Sequence, residues 1–498
     1  MSKTFYFCKV INIYRILKKK FVTNLAFLLF LNLLIKPFYV LGIDVGIQNS
    51  VTTASYGLYF PLLSLTLMFQ VVLDMGIENF TRCEIARDHQ QLPAFFSGIV
   101  VLKIVLALIY FGICLLIGII SDYNMLQLKL LFILLINQFI ASFTLYLRAN
   151  IGGLQLFKTE SIISVLDKTL LVIICSSLLW GRITDKPFRI EWFVYAQSFS
   201  YVVTFVVSLL ILLTRKNNFF RLQFNLNGLL SIIKRSLPYA ILVLLMGAYY
   251  RIDPVLLERI LPDGKTEAGI YAHSFRLLDM LQNYGYLFAL ILLPMFSRML
   301  KNNEPVEQLV NISFIIIIVP ALILSVGSVF YRTEIIDLLY DEHLEVSAKV
   351  FGIIMPGFTG ICASYIFGTL LTANGNLKIL ILISALGALI SIVINLLLIP
   401  LIGVTGSAIA NVSAQFFTSA VQLFIAVKVF KFRFNYRLVI QLLIYLSVII
   451  FIAILSKMVR LNWFYQAGIY SLLALTMIPA VRIIRIKTLM VFLGLVRN

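Results

Sequence analysis

The chain reads as an all-α polytopic membrane protein of about 14 transmembrane helices, on three observations. Hydrophobic residues make up 61% and charged residues 13% of the 498, with a mean hydropathy of +0.99. That leaves too little polar surface to cover a soluble globule. The apolar residues fall into successive stretches of the roughly 20 residues that a bilayer's hydrocarbon core requires. No connection between them exceeds about 25 residues, so no catalytic domain hangs outside the membrane.

In chain order the spans are expected near residues 25–47, 57–77, 92–120, 126–148, 160–181, 191–213, 237–259, 268–296, 310–331, 349–373, 377–399, 403–427, 437–457 and 463–484. The first is too long for the apolar core of a cleaved signal peptide and lacks a small-residue cleavage site, so it is expected to stay as a helix. Lys36-Pro37 interrupts it. The second carries Gln70, Asp74, Glu78 and Arg82 at four-residue steps near its end, with Glu78 and Arg82 placed to pair and Gln70 and Asp74 placed to face a cavity. The third holds Lys103, which either snorkels to the interface or lines the interior. The fifth holds the neighbours Asp167 and Lys168, read as an ion pair or as cavity groups. The seventh breaks at Arg251-Ile252-Asp253-Pro254. The eighth places Arg276, Asp279, Asn283 and Tyr286 on one face, since they are spaced by three, four and three residues.

A fixed charge near mid-membrane costs roughly 2.5–3.5 kcal/mol on insertion scales, so such residues mark candidate sites. The buried cations Lys36, Lys103, Lys168, Arg251 and Arg276 outnumber the acids Asp167, Asp253 and Asp279. This balance favours an anionic ligand over a cationic one.

The formal charge of +19 is dispersed among short connections rather than gathered in one patch, which argues against nucleic-acid binding. Topology accounts for it: alternate connections and both termini carry 26 Lys and Arg against 9 on the opposite side. By the positive-inside rule both termini are cytoplasmic. The basic stretch from Lys3 to Lys20 is expected to lie on anionic lipid. Five scattered cysteines suggest neither a disulfide framework nor a metal site. With three histidines and no phosphate-loop, dinucleotide or zinc-protease motif, no catalytic residue is assigned.

Ser55-Tyr56-Gly57-Leu58-Tyr59 and Glu267-Ala268-Gly269-Ile270-Tyr271 open the second and eighth spans, each following a span with a buried cation. Arg148-Ala149-Asn150-Ile151-Gly152 and Leu371-Thr372-Ala373-Asn374-Gly375 form a weaker matched pair. Six spans separate the copies, so the halves share an orientation and form two pseudo-symmetric six-helix lobes. The expected division is an N-terminal lobe at 1–228, a C-terminal lobe at 229–427, and two further helices with a basic tail at 428–498.

Several motifs resemble a family. Gly42-Ile43-Asp44, Tyr56-Gly57-Leu58-Tyr59 and Leu73-Asp74-Met75-Gly76-Ile77-Glu78-Asn79 are similar to the start of bacterial oligosaccharide flippases of the Wzx type. Ser236-Leu237-Pro238-Tyr239, Tyr250-Arg251-Ile252-Asp253, Ala268-Gly269-Ile270-Tyr271 and Arg276-Leu277-Leu278-Asp279 resemble the start of that family's second lobe. The resemblance implies the V-shaped fold of the multidrug/oligosaccharidyl-lipid/polysaccharide exporter superfamily, working by alternating access. The implied activity is transfer of an undecaprenyl-pyrophosphate-linked oligosaccharide, a repeat unit of O-antigen, capsule or exopolysaccharide, from the cytoplasmic to the periplasmic leaflet.

On that resemblance Lys36, Arg251 and Arg276 are the expected head-group cations, and Asp253, Asp279 and Asp74 are counter-ions or sites for a coupling proton or sodium ion. Lys103, Lys168, Asn283 and Gln70 are further cavity candidates. No cofactor or metal is expected. Expected partners are the lipid-linked glycan, membrane lipid, and a polymerase or other assembly proteins, around a monomer in the bacterial inner membrane. A lipid II flippase or a drug/cation antiporter of the same fold are the alternatives, with a membrane polymerase or ligase further off.

Overall fold

The computed structural model describes residues 31–32, 34–78, 92–154, 156–181, 186–214, 226–432 and 436–480, and among them there is no strand. Helical residues 34–38 run into a π-helical segment, Tyr39–Asp44, and then α1 (Val45–Ser50). The helices that follow are α2 (Thr53–Phe69), α3 (Leu92–Ile120), α4 (Met125–Gly153), α5 (Phe157–Trp180), α6 (Ile190–Leu213), α7 (Leu226–Arg251), α8 (Asp253–Ile260), α9 (Gly264–Lys301) and α10 (Glu307–Phe330). Then come α11 (Arg332–Leu339), α12 (Leu344–Ile354), α13 (Gly357–Ala373), α14 (Leu377–Ile402), α15 (Val404–Phe430), α16 (Tyr436–Met458) and α17 (Trp463–Ala480).

Among the described residues eleven helices are long and apolar enough to cross a membrane, or twelve if the bent pair Ser236–Arg251 and Asp253–Ile260 is one span. Of the fourteen expected spans, the first is described only from residue 31 and the last only to residue 480. One helix start carries a full capping box. Asn124 caps α4 by accepting from the Gln127 amide at 2.9 Å, and the Gln127 side chain accepts from the Asn124 amide at 3.1 Å.

Besides the first, with its π-helical segment, three expected spans are not continuous α-helices. The second leaves α-geometry at Phe69, tightens into a 3₁₀ turn over Gln70–Leu73, and reverses through Met75 at φ 43° and Gly76 at φ 82°. The expected stripe from Gln70 to Arg82 is therefore broken, and Arg82 lies outside the described residues. Only a glycine fits at 76, since a Cβ there would sit 2.8 Å from that of Ser236. The seventh bends by 48° at Ile252, where Pro254 begins α8 at a position that needs no amide hydrogen. The tenth splits at Met355-Pro356 into α12 and α13.

Two compact units emerge: the described residues of Met1–Thr52 with Leu62–Leu244, and those of Thr53–Pro61 with Leu245–Asn498. In the first unit α3, α4 and α6 share a core of Ile99, Leu102, Leu106, Tyr146, Leu147 and Leu212. In the second, α9, α13, α14 and α15 pack on one another, and α16 and α17 join α10 around Val319, Ile323, Ile449 and Tyr470. Buried hydroxyls fasten that last contact: Tyr331 and Ser456 bond at 2.7 Å, and the Tyr470 hydroxyl donates to the Ile323 carbonyl at 2.8 Å.

The start of α2 belongs to the second unit because two glycines permit it. A Cβ on Gly57 would lie 1.7 Å from the Lys265 carbonyl oxygen, and one on Gly269 would lie 2.2 Å from that of Thr53. Small residues let helix backbones meet in lipid, where van der Waals contact rather than the hydrophobic effect holds helices together. The two openings matched as repeats in the sequence are thus each other's packing partners.

Candidate functional site

The second unit concentrates charge where α7, α8 and α9 meet. Arg251, the last residue of α7, donates from Nη2 to Asp279 Oδ1 at 3.0 Å. Arg276 approaches the other oxygen of the same carboxylate, Nη1 to Oδ2, at 4.0 Å, one turn earlier on α9. The Tyr250 hydroxyl donates to Asp279 Oδ1 at 3.4 Å, and Asn283 Nδ2 donates to the Asp279 carbonyl at 2.9 Å. Two guanidinium groups therefore share one carboxylate. Arg251 Nη1 is buried and finds no acceptor among the described residues.

Aromatic rings wall this cluster. Phe275 lies 4.9 Å from Tyr250, 5.5 Å from Tyr271 and 5.9 Å from Phe60, centroid to centroid. The Arg251 guanidinium stands 5.4 Å from the Tyr250 ring and 5.8 Å from that of Phe275. Ring faces attract a desolvated cation, which helps hold a charged fork in an apolar bundle.

Asp253, grouped with Asp279 as a counter-ion candidate, faces neutral donors instead. The bend at Ile252 turns it away from Arg251 into the start of α8, where it is fully buried. Its Oδ2 accepts from the Tyr271 hydroxyl at 2.7 Å and Asn411 Nδ2 at 2.7 Å, and its Oδ1 accepts from Asn395 Nδ2 at 2.8 Å. Ser407 donates to Asn395 Oδ1 at 2.5 Å, while Asn411 Oδ1 is buried with no partner among the described residues. These partners escaped the sequence reading, which saw α14 and α15 as apolar spans. Their signal was the one-turn spacing of Ser391 with Asn395 and of Ser407 with Asn411.

The first unit ties its charges differently. Lys103, 1% exposed, does not snorkel: Nζ donates to the Leu73 carbonyl at 3.1 Å, Ser142 Oγ at 3.0 Å and Asp74 Oδ1 at 3.3 Å. It pins the turn at Asp74-Met75-Gly76 to α4, and Asp74 serves as its counter-ion. Gln70 is partly buried in the adjoining 3₁₀ turn. Lys168 sits between the rings of Tyr39 and Tyr201, at 5.1 and 5.4 Å, beside Asp167 at 3.5 Å. Lys36 is partly buried, three residues before the π-helical segment. No group of three or more His, Cys, Asp or Glu that could hold a metal is found among the described residues.

No curated protein matches the sequence. Solved structures do: a structure titled lipid II flippase MurJ in an inward closed conformation has a TM-score of 0.65 at 14% identity, covering 89% of this chain and 97% of that one. An inward-facing multidrug resistance MATE family transporter has a TM-score of 0.62 at 14% identity over 80% of this chain and 94% of its own. A transporter from Pyrococcus furiosus, whose title reports a binding pocket of reverse polarity, has a TM-score of 0.59 at 15% identity, covering 82% and 95%. The chain thus shares the fold of these structures, and it is a multi-pass membrane protein. The family model described as "Polysaccharide biosynthesis protein" matches residues 21–300, more than half of the chain, and the chain belongs to that family.

Proposed function

We propose that the protein carries a polyprenyl-pyrophosphate-linked oligosaccharide, with undecaprenol as the lipid, from the cytoplasmic to the periplasmic leaflet of a bacterial inner membrane by alternating access. The carrying observation is the Arg251–Asp279–Arg276 cluster, with two guanidinium groups on one carboxylate and a buried Arg251 Nη1 that has no acceptor among the described residues. A pyrophosphate supplies the missing acceptors as charge-assisted, bidentate hydrogen bonds while its prenyl tail stays in lipid. Lys36 is the head-group cation assigned to the first unit. Family membership supports a polysaccharide precursor over lipid II as the cargo.

Asp253 is the proposed site of a coupling proton or sodium ion. Its buried carboxylate, the orphaned Asn411 Oδ1 and the hydroxyls of Tyr271 and Ser407 form an oxygen-rich nest away from the arginines. Hard monovalent cations prefer such oxygen donors.

The test is binding of a fluorescent undecaprenyl-pyrophosphate oligosaccharide to the purified protein. Hydrogen bonds to a charged group are worth about 1.5–3 kcal/mol, so Arg251→Ala and Arg276→Ala are each expected to weaken binding by roughly 10- to 150-fold. Wild-type affinity in both variants would overturn the site assignment. Failure of the wild type to bind this class of lipid would overturn the function.

A further inference from the structure

On the first unit, away from its buried lysines, two recesses share a wall. One, of about 280 Å³, lies where α4 and α6 begin and is lined by Lys129, Arg189 and Glu191, with Trp192 and Tyr195 at its side. The other, of about 490 Å³, runs between α5 and α6 and is lined by Ile174, Leu178, Trp192, Tyr195, Ala196 and Phe199. The first is charged and the second is nearly all hydrocarbon. From Arg189 to Phe199 the helix descends about 15 Å, the reach of a long acyl segment.

Both cations are exposed, and neither Lys129 nor Arg189 makes an ion pair among the described residues. Glu191 offsets one of them and leaves a net positive mouth. Trp192 and Tyr195 stand at the junction, one end in the polar recess and the other in the apolar one, as rings do at a membrane–water boundary. Phe188 braces Trp192 edge-on at 5.9 Å. An ordinary lipid-facing surface presents scattered apolar side chains; here an apolar recess opens beneath two cations that make no ion pair among the described residues.

We propose that this groove binds an anionic phospholipid: its phosphate lies between Lys129 and Arg189 and one acyl chain runs past Trp192 and Tyr195 to Phe199. The positive-inside count puts this mouth at the periplasmic face. Charge complementarity selects phosphatidylglycerol over a zwitterionic lipid, since each basic residue near the surface favours an anionic lipid by about fivefold. The site is separate from the arginine cluster of the second unit, and its occupancy does not depend on the transported cargo.

The chain has three tryptophans, so Trp180→Phe with Trp463→Phe leaves Trp192 as the reporter. This variant is reconstituted in phosphatidylcholine containing brominated-chain phosphatidylglycerol or, in parallel, brominated-chain phosphatidylcholine. Trp192 fluorescence is expected to be quenched at a several-fold lower mole fraction of the anionic lipid. Lys129→Gln with Arg189→Gln is expected to abolish that preference, and the charge-retaining pair Lys129→Arg with Arg189→Lys to keep it. Equal quenching by the two lipids overturns the proposal. A preference that survives the double glutamine change, or is lost equally in the charge-retaining pair, overturns it as well.

Discussion

Arg251 illustrates how a single residue acquires a task from its surroundings. A bare guanidinium at that depth is costly, and Asp279 and the faces of Tyr250 and Phe275 offset part of that cost. Nη1, buried with no acceptor among the described residues, is what an anion can satisfy. Replacing Arg251 with Lys keeps the charge but loses the planar fork, so one ammonium must choose between Asp279 and the ligand. Head-group affinity is expected to fall by about tenfold, less than for Arg251→Ala, in the same fluorescent-lipid titration. Lys103 has the opposite character: its donors are spent on Leu73, Ser142 and Asp74. Lys103→Met leaves those acceptors unsatisfied and is expected to cost about 1–3 kcal/mol, seen as a lower unfolding midpoint in detergent. Head-group affinity in the surviving fold should stay at the wild-type level.

At the scale of elements, breaks in helices decide where charges point. Arg251 and Asp253 are two residues apart, yet the 48° bend at Ile252 sends one to Asp279 and the other to Asn395 and Asn411. Pro254 made that break legible in the sequence. The break at Asp74-Met75-Gly76 was not, because a run of apolar residues with acids at four-residue spacing reads as helix, and only the close approach of Ser236 reveals why glycine is needed. The asparagine partners of Asp253 lie 142 and 158 residues away, so no local pattern ties them to it.

The approach of α2 to α9 yields a sharper prediction. Gly57→Ala places a Cβ against the rigid Lys265 carbonyl and is expected to destabilise by about 1–3 kcal/mol. Gly112→Ala meets nothing within 4 Å and should be neutral or slightly stabilising in thermal unfolding. The same end of α2 is capped by Glu342, which accepts from both the amide and the hydroxyl of Thr53, with the amide at 3.0 Å. Those hydrogen bonds hold the Glu342 carboxyl below its usual range. A depressed folded-state pKa stabilises the fold above the unfolded value, and this contribution is lost as pH falls through the folded one. The gap in unfolding midpoint between wild type and Glu342→Gln should therefore be constant at neutral pH and close as pH drops below about 4.5. A gap unchanged down to strongly acid pH would contradict the cap.

For the whole molecule, the succession of apolar spans and the positions of charged residues within them were legible because hydropathy and insertion cost are properties of single segments. Which cations stay available was not legible, because pairing depends on partners from distant spans. Lys103 and Lys168 looked like Arg251 in the sequence, and contacts with Asp74 and Ser142 or with Tyr39 and Tyr201 separate them from it. A carrier for a dianionic head group should also respond to voltage. Moving two charges across the full field changes the free energy by about 4.6 kcal/mol per 100 mV. An inside-negative potential is accordingly expected to raise outward transfer in proteoliposomes.

The central claim is that the arginine cluster recognises the pyrophosphate of a lipid-linked glycan. Its most direct measurement is flipping in proteoliposomes, read by a membrane-impermeant quencher, with one fluorescent oligosaccharide presented on two carriers, polyprenyl pyrophosphate and a neutral polyprenyl glycoside. Wild type should transfer the pyrophosphate form at least tenfold faster, and Arg251→Ala should bring the two rates together. Equal transfer of both carriers by wild type, or an undiminished preference in Arg251→Ala, would contradict the account.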